Sequence, residues 1–202
     1  MKPGTCVIIL AGGNSSRMDF PKPFLMYREK TFLQIIAETY CNAGFKNIGV
    51  VLNKYYAGDE WQYLLEPVRS LGTIFENKFP AYGRLYSLKL AAKEMKGFEF
   101  YFIQNADNPF PDGNIISTLW KNRNERGYVS PVFKGKGGHP VLLSKKIIEH
   151  ILSTSSDTLT LREILCSFDR RKIETGDERV GWNINTKEDY EKYIQQASEA
   201  VR

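Results

Sequence analysis

The order of the apolar segments predicts an α/β fold, a three-layer α/β/α sandwich with a mostly parallel, mixed sheet. Three observations in the 202-residue sequence lead to this prediction. First, continuous apolar runs, typical of strands buried on both faces, alternate with segments whose apolar residues recur every three or four positions. Second, four strand segments follow one another in this way before residue 128, and strands joined through helices run parallel. Third, the strand segments after residue 128 lie closer together, which favours a hairpin.

Each element follows from its local pattern. Thr31 is expected to cap a helix whose apolar face includes Phe32 and Ile36 and which Gly44 ends, whereas Pro67 weakens the end of the next helix. The predicted strands cover residues 7–10, 48–52, 73–75, 100–103, 129–133, 141–143 and 172–174. The predicted helices cover residues 31–43, 60–70, 82–95, 113–126, 144–152, 159–168 and 188–200. The loop 134–140 contains three glycines and is expected to form a flap or a hairpin. No linker or repeat interrupts the chain, so one domain is expected over residues 1–202.

Composition limits the classes of function. The net charge of +5 and the isoelectric point of about 9.0 suit nucleic acids and phosphorylated small molecules alike. The basic residues form no run of five or six, so nucleic-acid binding is not expected. The three cysteines lie far apart and are expected to be reduced thiols in a cytoplasmic protein. The apolar stretch 6–11 is too short to cross a membrane, and no membrane segment or targeting signal is expected.

The loop after the first strand has the residue types that bind phosphate, namely Gly12, Gly13, Ser15, Ser16, Arg17 and Lys22. Adjacent glycines let backbone N–H groups approach phosphate oxygens, and serine hydroxyls add donors. The arginine and the lysine add two positive charges, which match a ligand with several negative charges. Neither a GxxxxGK[ST] nor a GxGxxG motif follows this strand. A glycine turn with solvated charges is the alternative interpretation.

Asp107 follows the fourth predicted strand, at the sheet edge where ligands of such folds bind. A carboxylate at this position can hold Mg²⁺, which keeps several waters and bridges to phosphates. The alternative is that Asp107 caps a helix or an Asx turn.

Two later segments hold further candidates. His139 lies in a glycine-rich loop and could bind an acceptor phosphate, act as an acid or base, or bond locally within the turn. Thr186 is expected to cap the last helix, with Asp189 completing a variant of the capping box.

Four motifs occur in a fixed order along the chain. Leu-Ala-Gly-Gly-x-Ser-x-Arg-Met spans residues 10–18 and is followed by Lys22, and Asp-x-Pro spans residues 107–109. Gly-His-Pro-Val spans residues 138–141, and Asn-x-Asn-Thr spans residues 183–186. The set resembles the molybdenum cofactor guanylyltransferase and cytidylyltransferase group, NTP transferase domains with a glycosyltransferase-A-like fold. The resemblance runs from about residue 5 to 193 and implies a Rossmann-like fold of the nucleotide-diphospho-sugar transferase type.

The resemblance implies a role for each candidate residue. The nucleotide would contact Leu10, Ala11, Gly12, Gly13, Ser15, Ser16, Arg17, Lys22, Gly83 and Ser87. Arg17, Lys22 and Asp107 would be catalytic, and Mg²⁺ would lie on Asp107 and Asn185. His139 would lie on the acceptor side of the site. Three residues depart from the Gly, Met and Pro that are usual in the family, namely Asp19, Asn108 and Lys187.

The expected function is Mg²⁺-dependent transfer of a nucleoside monophosphate from CTP or GTP to a phosphorylated acceptor, of the molybdopterin type, with release of pyrophosphate. The first motif has the form of the guanylyl branch, whereas Gly-His-Pro-Val is common in the cytidylyl branch, so both bases stay open. A sugar phosphate or an alcohol phosphate is the alternative acceptor. A non-catalytic nucleotide-binding module is a further alternative, and an RNA-binding protein is disfavoured by the scattered charge. The sequence does not indicate an oligomeric state.

Overall fold

The computed structural model describes residues 3–155 and 159–199. In these residues the strands are β1 (Thr5–Ala11), β2 (Met26–Tyr27), β3 (Lys30–Thr31), β4 (Ile48–Asn53), β5 (Thr73–Asn77), β6 (Phe100–Asn105), β7 (Tyr128–Phe133), β8 (Lys136–Gly137), β9 (Val141–Ser144) and β10 (Arg170–Glu174). The α-helices are α1 (Phe32–Asn42), α2 (Gln62–Arg69), α3 (Gly83–Glu94), α4 (Gly113–Lys121), α5 (Lys145–Ser153), α6 (Leu161–Leu165) and α7 (Lys187–Glu199).

The main sheet has the strand order β10-β7-β9-β6-β1-β4-β5, and β8 pairs with β7. The four strands β5, β4, β1 and β6 are parallel, whereas β9 runs antiparallel to both β6 and β7. The mostly parallel, mixed sheet expected from the sequence is therefore confirmed. In the register of β1 and β6, Leu10 lies beside Asn105 at the carboxyl edge. The loops that follow these two strands therefore lie next to each other at the carboxyl edge of the sheet.

Helices cover both faces of the sheet, because the side chains of β1 alternate between two cores. Val7 and Ile9 pack with α1, α2 and α4 on one face. Cys6 and Ile8 pack with α3, α5 and α6 on the other. All seven residues of β1 are buried, which explains why this strand is a continuous apolar run rather than an alternating one. The three-layer architecture expected from the sequence is confirmed.

The ends of several elements differ from the sequence-based expectation. Helix α4 ends at Lys121 rather than near residue 126, because the side chain of Asn122 donates to the Thr118 carbonyl and Arg123 to that of Trp120. Helix α6 is shorter than the predicted 159–168 and is held by a capping box between Thr160 and Glu163. The short hairpin formed by β2 and β3 was not predicted.

Other boundaries agree with expectation. Thr31 caps α1 by accepting the Gln34 N–H, and β8 forms the expected hairpin with β7. Helix α7 begins one residue early, and its predicted end at Ala200 lies outside the described residues. Residues 3–155 and 159–199 contain no helix with the length and apolar character needed to cross a membrane.

Candidate active site

A cavity of about 310 Å³ opens at the carboxyl edge of the sheet. Four segments line it, namely the loop after β1, the start of α3, the end of β6 and the residue Asn185 before α7. The lining residues are Leu10, Ala11, Gly12, Gly13, Asn14, Ser15, Ser16, Arg17, Lys22, Pro23, Pro80, Gly83, Arg84, Ser87, Asn105, Ala106, Asp107 and Asn185. The cavity therefore brings together all the site residues predicted from the sequence except His139.

We call the loop after β1 the first loop (residues 12–22). Hydrogen bonds within the loop and from a neighbouring side chain hold its backbone in place. Ser15 adopts a positive φ of 50°, its carbonyl accepts the Met18 N–H at 2.9 Å, and its hydroxyl accepts the Lys22 N–H at 3.1 Å. From outside the loop, Asn53 Nδ2 donates to the Gly13 carbonyl at 3.1 Å. These bonds fix the path of the loop backbone where it lines the cavity.

Gly12 is required by close packing against the start of α3. A Cβ at this position would lie 2.7 Å from Ser87 Oγ and 3.0 Å from Asn77 Nδ2. Asn77 donates to the Ser87 hydroxyl at 3.1 Å, which in turn donates to the Gly83 carbonyl at 3.3 Å. Ser87 therefore forms a buried wall behind Gly12 with its hydroxyl already bonded. Gly83, with a φ of 79°, allows the sharp entry into α3.

Three cationic side chains line the cavity. Lys22 Nζ and Arg17 Nη2 both donate to Asn185 Oδ1, at 2.9 Å and 3.1 Å. Arg84 Nη2 lies 4.0 Å from Asp107 Oδ2. Burial lowers the pKa of Lys22, and the carboxylate of Asp107 acts against that shift. The result is a positively charged cavity surface with one carboxylate within it.

Asn185 reaches the first loop because the segment before α7 packs beneath it. Ile184 is buried against Leu25 and Phe32, and Tyr190 donates its hydroxyl proton to the Met26 carbonyl at 2.7 Å. The Asp189 carboxylate accepts the N–H groups of Asn185 and of Thr186. The capping-box variant expected from the sequence is thus present, and Lys187 opens the helix as an exposed residue.

Asp107 is fixed through its backbone, whereas one side-chain oxygen has no partner. Its carbonyl accepts the Ile184 N–H at 2.7 Å. Its side chain is 18% exposed, and Oδ1 is buried without a hydrogen-bond partner. The described residues contain no cluster of three or more His, Cys, Asp or Glu side chains that could hold a metal ion. A hard cation here would rest on one carboxylate, amide oxygens, phosphates and water, a ligand set that suits Mg²⁺.

His139 lies behind the cavity wall. Its Nε2 is 2.8 Å from Asn105 Nδ2, and its Nδ1 is buried without a partner. Burial lowers the pKa of His139 to about 4, an effect that the Asp107 carboxylate opposes and Arg84 reinforces. The lowered pKa favours the neutral imidazole near pH 7, which lacks the second ring proton of the imidazolium form. The structure shows it as the neighbour of Asn105.

Asn108, which departs from the family's usual Met, joins the end of β6 to the segment before α7. Its Nδ2 donates to the carbonyls of Arg179 and Trp182, at 2.9 Å and 2.6 Å. Gln104 Nε2 donates to the Asn108 carbonyl at 2.8 Å, and Gln104 Oε1 accepts from the hydroxyl of Tyr40 at 3.2 Å. This buried network holds Asp107 next to the segment that carries Asn185.

Sequence reasoning missed Arg84 and Asn105, and it identified Asn108 without finding a role for it. The strand pairing of β6 with β9, which places Asn105 beside His139, is not visible in residue spacing. Asp19 is exposed and does not line the cavity, and nothing in the structure explains its departure from Gly.

The chain matches known proteins over most of its length. The family model of the MobA-like NTP transferase domain matches residues 7–171. The molybdenum cofactor cytidylyltransferase of Escherichia coli (strain K12) is 27% identical over 186 residues, which cover 91% of this chain and 92% of the relative.

Solved structures share the fold at low identity. The molybdopterin-guanine dinucleotide biosynthesis protein A from Archaeoglobus fulgidus superposes with a TM-score of 0.70 at 16% identity, covering 96% of this chain and 99% of that one. The 4-diphosphocytidyl-2C-methyl-D-erythritol synthase from Anaerococcus prevotii superposes with a TM-score of 0.75 at 14% identity, covering 96% of each chain.

Proposed function

The chain belongs to the MobA-like NTP transferase family of nucleotidyltransferases, and from this premise we propose that it transfers a nucleoside monophosphate from CTP or GTP to a phosphorylated acceptor of the molybdopterin type, with release of pyrophosphate. One observation carries the proposal: Lys22 and Arg17 line the same cavity as the partly buried carboxylate of Asp107. This combination of two cations and one carboxylate suits a triphosphate: the cations neutralise the phosphates that leave, and the carboxylate lies near the phosphate that reacts.

The proposed reaction is an in-line displacement at the α-phosphorus. An oxygen of the acceptor phosphate forms a bond to this phosphorus, the bond to the bridging oxygen of the β-phosphate breaks, and pyrophosphate leaves with the negative charge. Arg17 and Lys22 stabilise the charge on the leaving group, and the N–H groups of the first loop hold the phosphates. Chemistry of this kind depends on positioning and charge, so no side-chain nucleophile is required.

Mg²⁺ is the cofactor that we propose, with Asp107 as its carboxylate ligand and Asn185 as the second ligand expected from the resemblance. When bound, the ion would act as a Lewis acid on phosphate oxygens and neutralise their charge. The unpartnered Oδ1 of Asp107 supports this assignment, because a buried carboxylate oxygen without a donor is costly unless a cation balances it.

The acceptor has a second candidate. The structural neighbour from Anaerococcus prevotii is named as the synthase of 4-diphosphocytidyl-2C-methyl-D-erythritol. An alcohol phosphate is therefore the alternative acceptor within the same chemistry. A non-catalytic nucleotide-binding module is less well supported, since it would not need Arg17, Lys22 and Asp107 around one cavity.

The test is a panel of GTP, CTP, ATP and UTP with Mg²⁺, read first by thermal shift and then by pyrophosphate release with each acceptor. A triphosphate that binds the native state at 100 times its Kd raises stability by about 2.7 kcal/mol, which is a readily measured shift in Tm. CTP or GTP is expected to give the largest shift and to support pyrophosphate release with a molybdopterin-type acceptor. If none of the four shifts Tm or releases pyrophosphate, the proposal is wrong.

The variant Lys22→Ala tests the role of the cation. Removing a preorganised charge costs roughly 3–4 kcal/mol of transition-state stabilisation, so kcat/KM for pyrophosphate release should fall by about 200–1,000-fold. Lys54→Ala is the matched control, since Lys54 is exposed and lies outside the cavity. Near-normal pyrophosphate release by Lys22→Ala would remove Lys22 from the mechanism.

A further inference from the structure

Strand β10 lies at one end of the main sheet, and β7 is its only strand partner among residues 3–155 and 159–199. Two hydrogen bonds that flank β10 show which way its backbone faces. The Tyr128 N–H donates to the Asp169 carbonyl, and the Thr175 N–H donates to the Val132 carbonyl, both at 2.9 Å. Because backbone direction alternates along a strand, the odd-numbered residues from 169 to 175 face β7. The even-numbered residues of β10 therefore point their N–H and carbonyl groups away from the sheet.

The outward-facing residues of β10 present an open row of hydrogen-bonding groups. They are Arg170, Lys172 and Glu174, and all three are exposed. In the described part of the chain, no hydrogen bond joins their backbone groups to another element. An open strand edge of this kind can accept an extended peptide as an additional strand, through main-chain hydrogen bonds.

The same edge carries positive charge that no carboxylate neutralises. Arg170, Arg171 and Lys172 follow one another in β10, and none of them forms an ion pair within residues 3–155 and 159–199. The acidic residue of the strand, Glu174, lies at its far end. An added strand would therefore match the charge of β10 best with acidic residues beside 170–172.

Both arginines are held at one nitrogen each. Arg170 Nε donates to Ser130 Oγ at 2.9 Å, and Arg171 Nη1 donates to the Asn122 carbonyl at 2.9 Å. These bonds restrict the two side chains and leave their other N–H groups for a ligand. A guanidinium that is already restricted loses less freedom when it binds a carboxylate than a mobile lysine does. The arrangement is thus better suited to binding an acid than a surface of unattached lysines is.

Two other occupants match the edge less well. A second copy of this chain, paired along β10, would place one Arg-Arg-Lys run beside another, and like charges on neighbouring strands are destabilising. The phosphates of a nucleic acid could accept hydrogen bonds from the N–H groups, but they have no donors for the outward carbonyls. An acidic polypeptide strand satisfies both the charge and the backbone.

We propose that β10 is a docking edge for an extended, acidic segment of a partner protein, which adds to the sheet as a strand beside Arg170, Arg171 and Lys172. The inference goes beyond the proposed function and does not depend on it. No residue of β10 lines the cavity, and β7 and β9 separate β10 from β6.

The test uses a fluorescein-labelled peptide of about eight residues, the length of a strand, in which glutamate alternates with valine. Anisotropy at low salt measures its Kd, and the same peptide with glutamine in place of glutamate should bind about 10-fold more weakly. Amide hydrogen exchange locates the peptide. The N–H groups of Arg170, Lys172 and Glu174 should exchange about 10-fold more slowly when it is bound, whereas those of α1 should not change.

A matched pair of variants at Lys172 separates the charge from the backbone. Lys172→Gln removes the charge and keeps the outward N–H, so it should weaken peptide binding by about threefold. Lys172→Pro removes the charge and that N–H but leaves the N–H groups that face β7, and it should weaken binding by about 30-fold. Tm shows that each variant is folded, and hydrogen exchange in the wild-type protein does not depend on either variant.

Several results would overturn the proposal. Equal Kd values for the two peptides remove the charge argument, and unchanged exchange at residues 170, 172 and 174 removes the site. Displacement of the peptide by CTP or GTP would place it in the cationic cavity instead. Tighter binding of a single-stranded RNA than of the acidic peptide would make the edge a nucleic-acid surface. Sedimentation as a dimer that Lys172→Pro abolishes would make a second copy the occupant.

Discussion

The first loop and the end of β6 line the same cavity, but different kinds of contact hold them in place. Residues 13, 14, 16 and 17 of the loop are exposed, and the loop is tied down by single bonds such as Asn53 to the Gly13 carbonyl. At the end of β6, by contrast, Gln104, Asn105 and Asn108 are 3% exposed or less. Gln104 donates to the Asn108 carbonyl and Asn105 is bonded to His139, so these side chains belong to a buried network. The loop proposed to bind phosphates is thus exposed and held by few bonds, whereas the strand end that leads to Asp107 is buried and held by many.

This difference separates two kinds of mutational effect. Buried polar residues make stability depend on every partner in the network, because a lost partner leaves another buried group unsatisfied. Exposed loop residues exchange their bonds for bonds to water at small cost. Apart from the proposed catalytic residues Arg17 and Lys22, changes in the loop should therefore appear in KM, and changes at the end of β6 should appear in kcat or in stability.

The largest effect is expected for Asp107→Asn. Loss of the carboxylate should lower kcat by about 1,000-fold, roughly 4 kcal/mol, because the charge that would hold the cation is gone. The Tm should stay equal or rise slightly, since Oδ1 has no partner to lose and the ion pair with the exposed Arg84 contributes little. Steady-state kinetics and thermal unfolding measure both quantities. Asp19→Asn is the control and should stay within twofold in kcat, and a matching loss there would contradict the assignment.

Asn108→Leu should show the opposite balance. It removes the donors to the carbonyls of Arg179 and Trp182 from a residue that is 1% exposed, which should cost about 3 kcal/mol of unfolding free energy. Denaturant unfolding measures this loss, and Asn114→Leu on the exposed face of α4 should cost less than about 1 kcal/mol. If the Asn108→Leu variant has the same unfolding free energy as wild type, the hydrogen bonds of Asn108 do not stabilise the fold.

The pH dependence of stability reports on the buried imidazole. The pKa of His139 is about 4 in the folded protein and about 6.5 when unfolded, so the unfolded chain binds more protons between these values. Stability is then fully present above pH 6.5 and falls as the pH is lowered, by about 2 kcal/mol from pH 7.5 to pH 5. His139→Gln should flatten the curve over this range in urea unfolding without metal. Parallel curves for the two proteins would mean that His139 titrates normally.

The smallest effect is expected for Ser15→Ala in the first loop. The hydroxyl accepts the Lys22 N–H, and losing this bond should cost about 1 kcal/mol in loop order. The KM for the triphosphate should rise about fivefold, with kcat and Tm nearly unchanged. Initial-rate kinetics over a range of triphosphate concentrations separate the two constants. A fall in kcat with an unchanged KM would mean that Ser15 itself takes part in the chemical step.

Much of the fold could be predicted because strands that are buried on both faces of the sheet are apolar at every position. The runs at β1 and β6 are apolar throughout, since their side chains fill two cores. The two-residue strands β2 and β3 were missed because so short a strand has no period to detect. The end of α4 was misplaced because side-chain bonds from Asn122 and Arg123, rather than a glycine or proline, terminate it.

From residue patterns alone, the site could be predicted where a loop follows a parallel strand, and the family resemblance added Gly83, Ser87 and Asn185. Lys22 and Asp107 follow β1 and β6 in sequence, and the topology brings such loops together. Asn105 and Asn108 act through partners that depend on the register of β9 and on a carbonyl 71 residues away. Contacts of this kind exist only after the sheet has formed, so spacing along the chain does not reveal them.

The bonds from Arg17 and Lys22 to Asn185 join residues that are 168 and 163 positions apart. A ribosome makes the first loop more than 160 residues before it makes Asn185. A growing chain therefore contains the first loop long before the opposing side of the cavity exists. A message that stops between the two would yield a polypeptide that carries the glycine-rich motif but lacks Asn185.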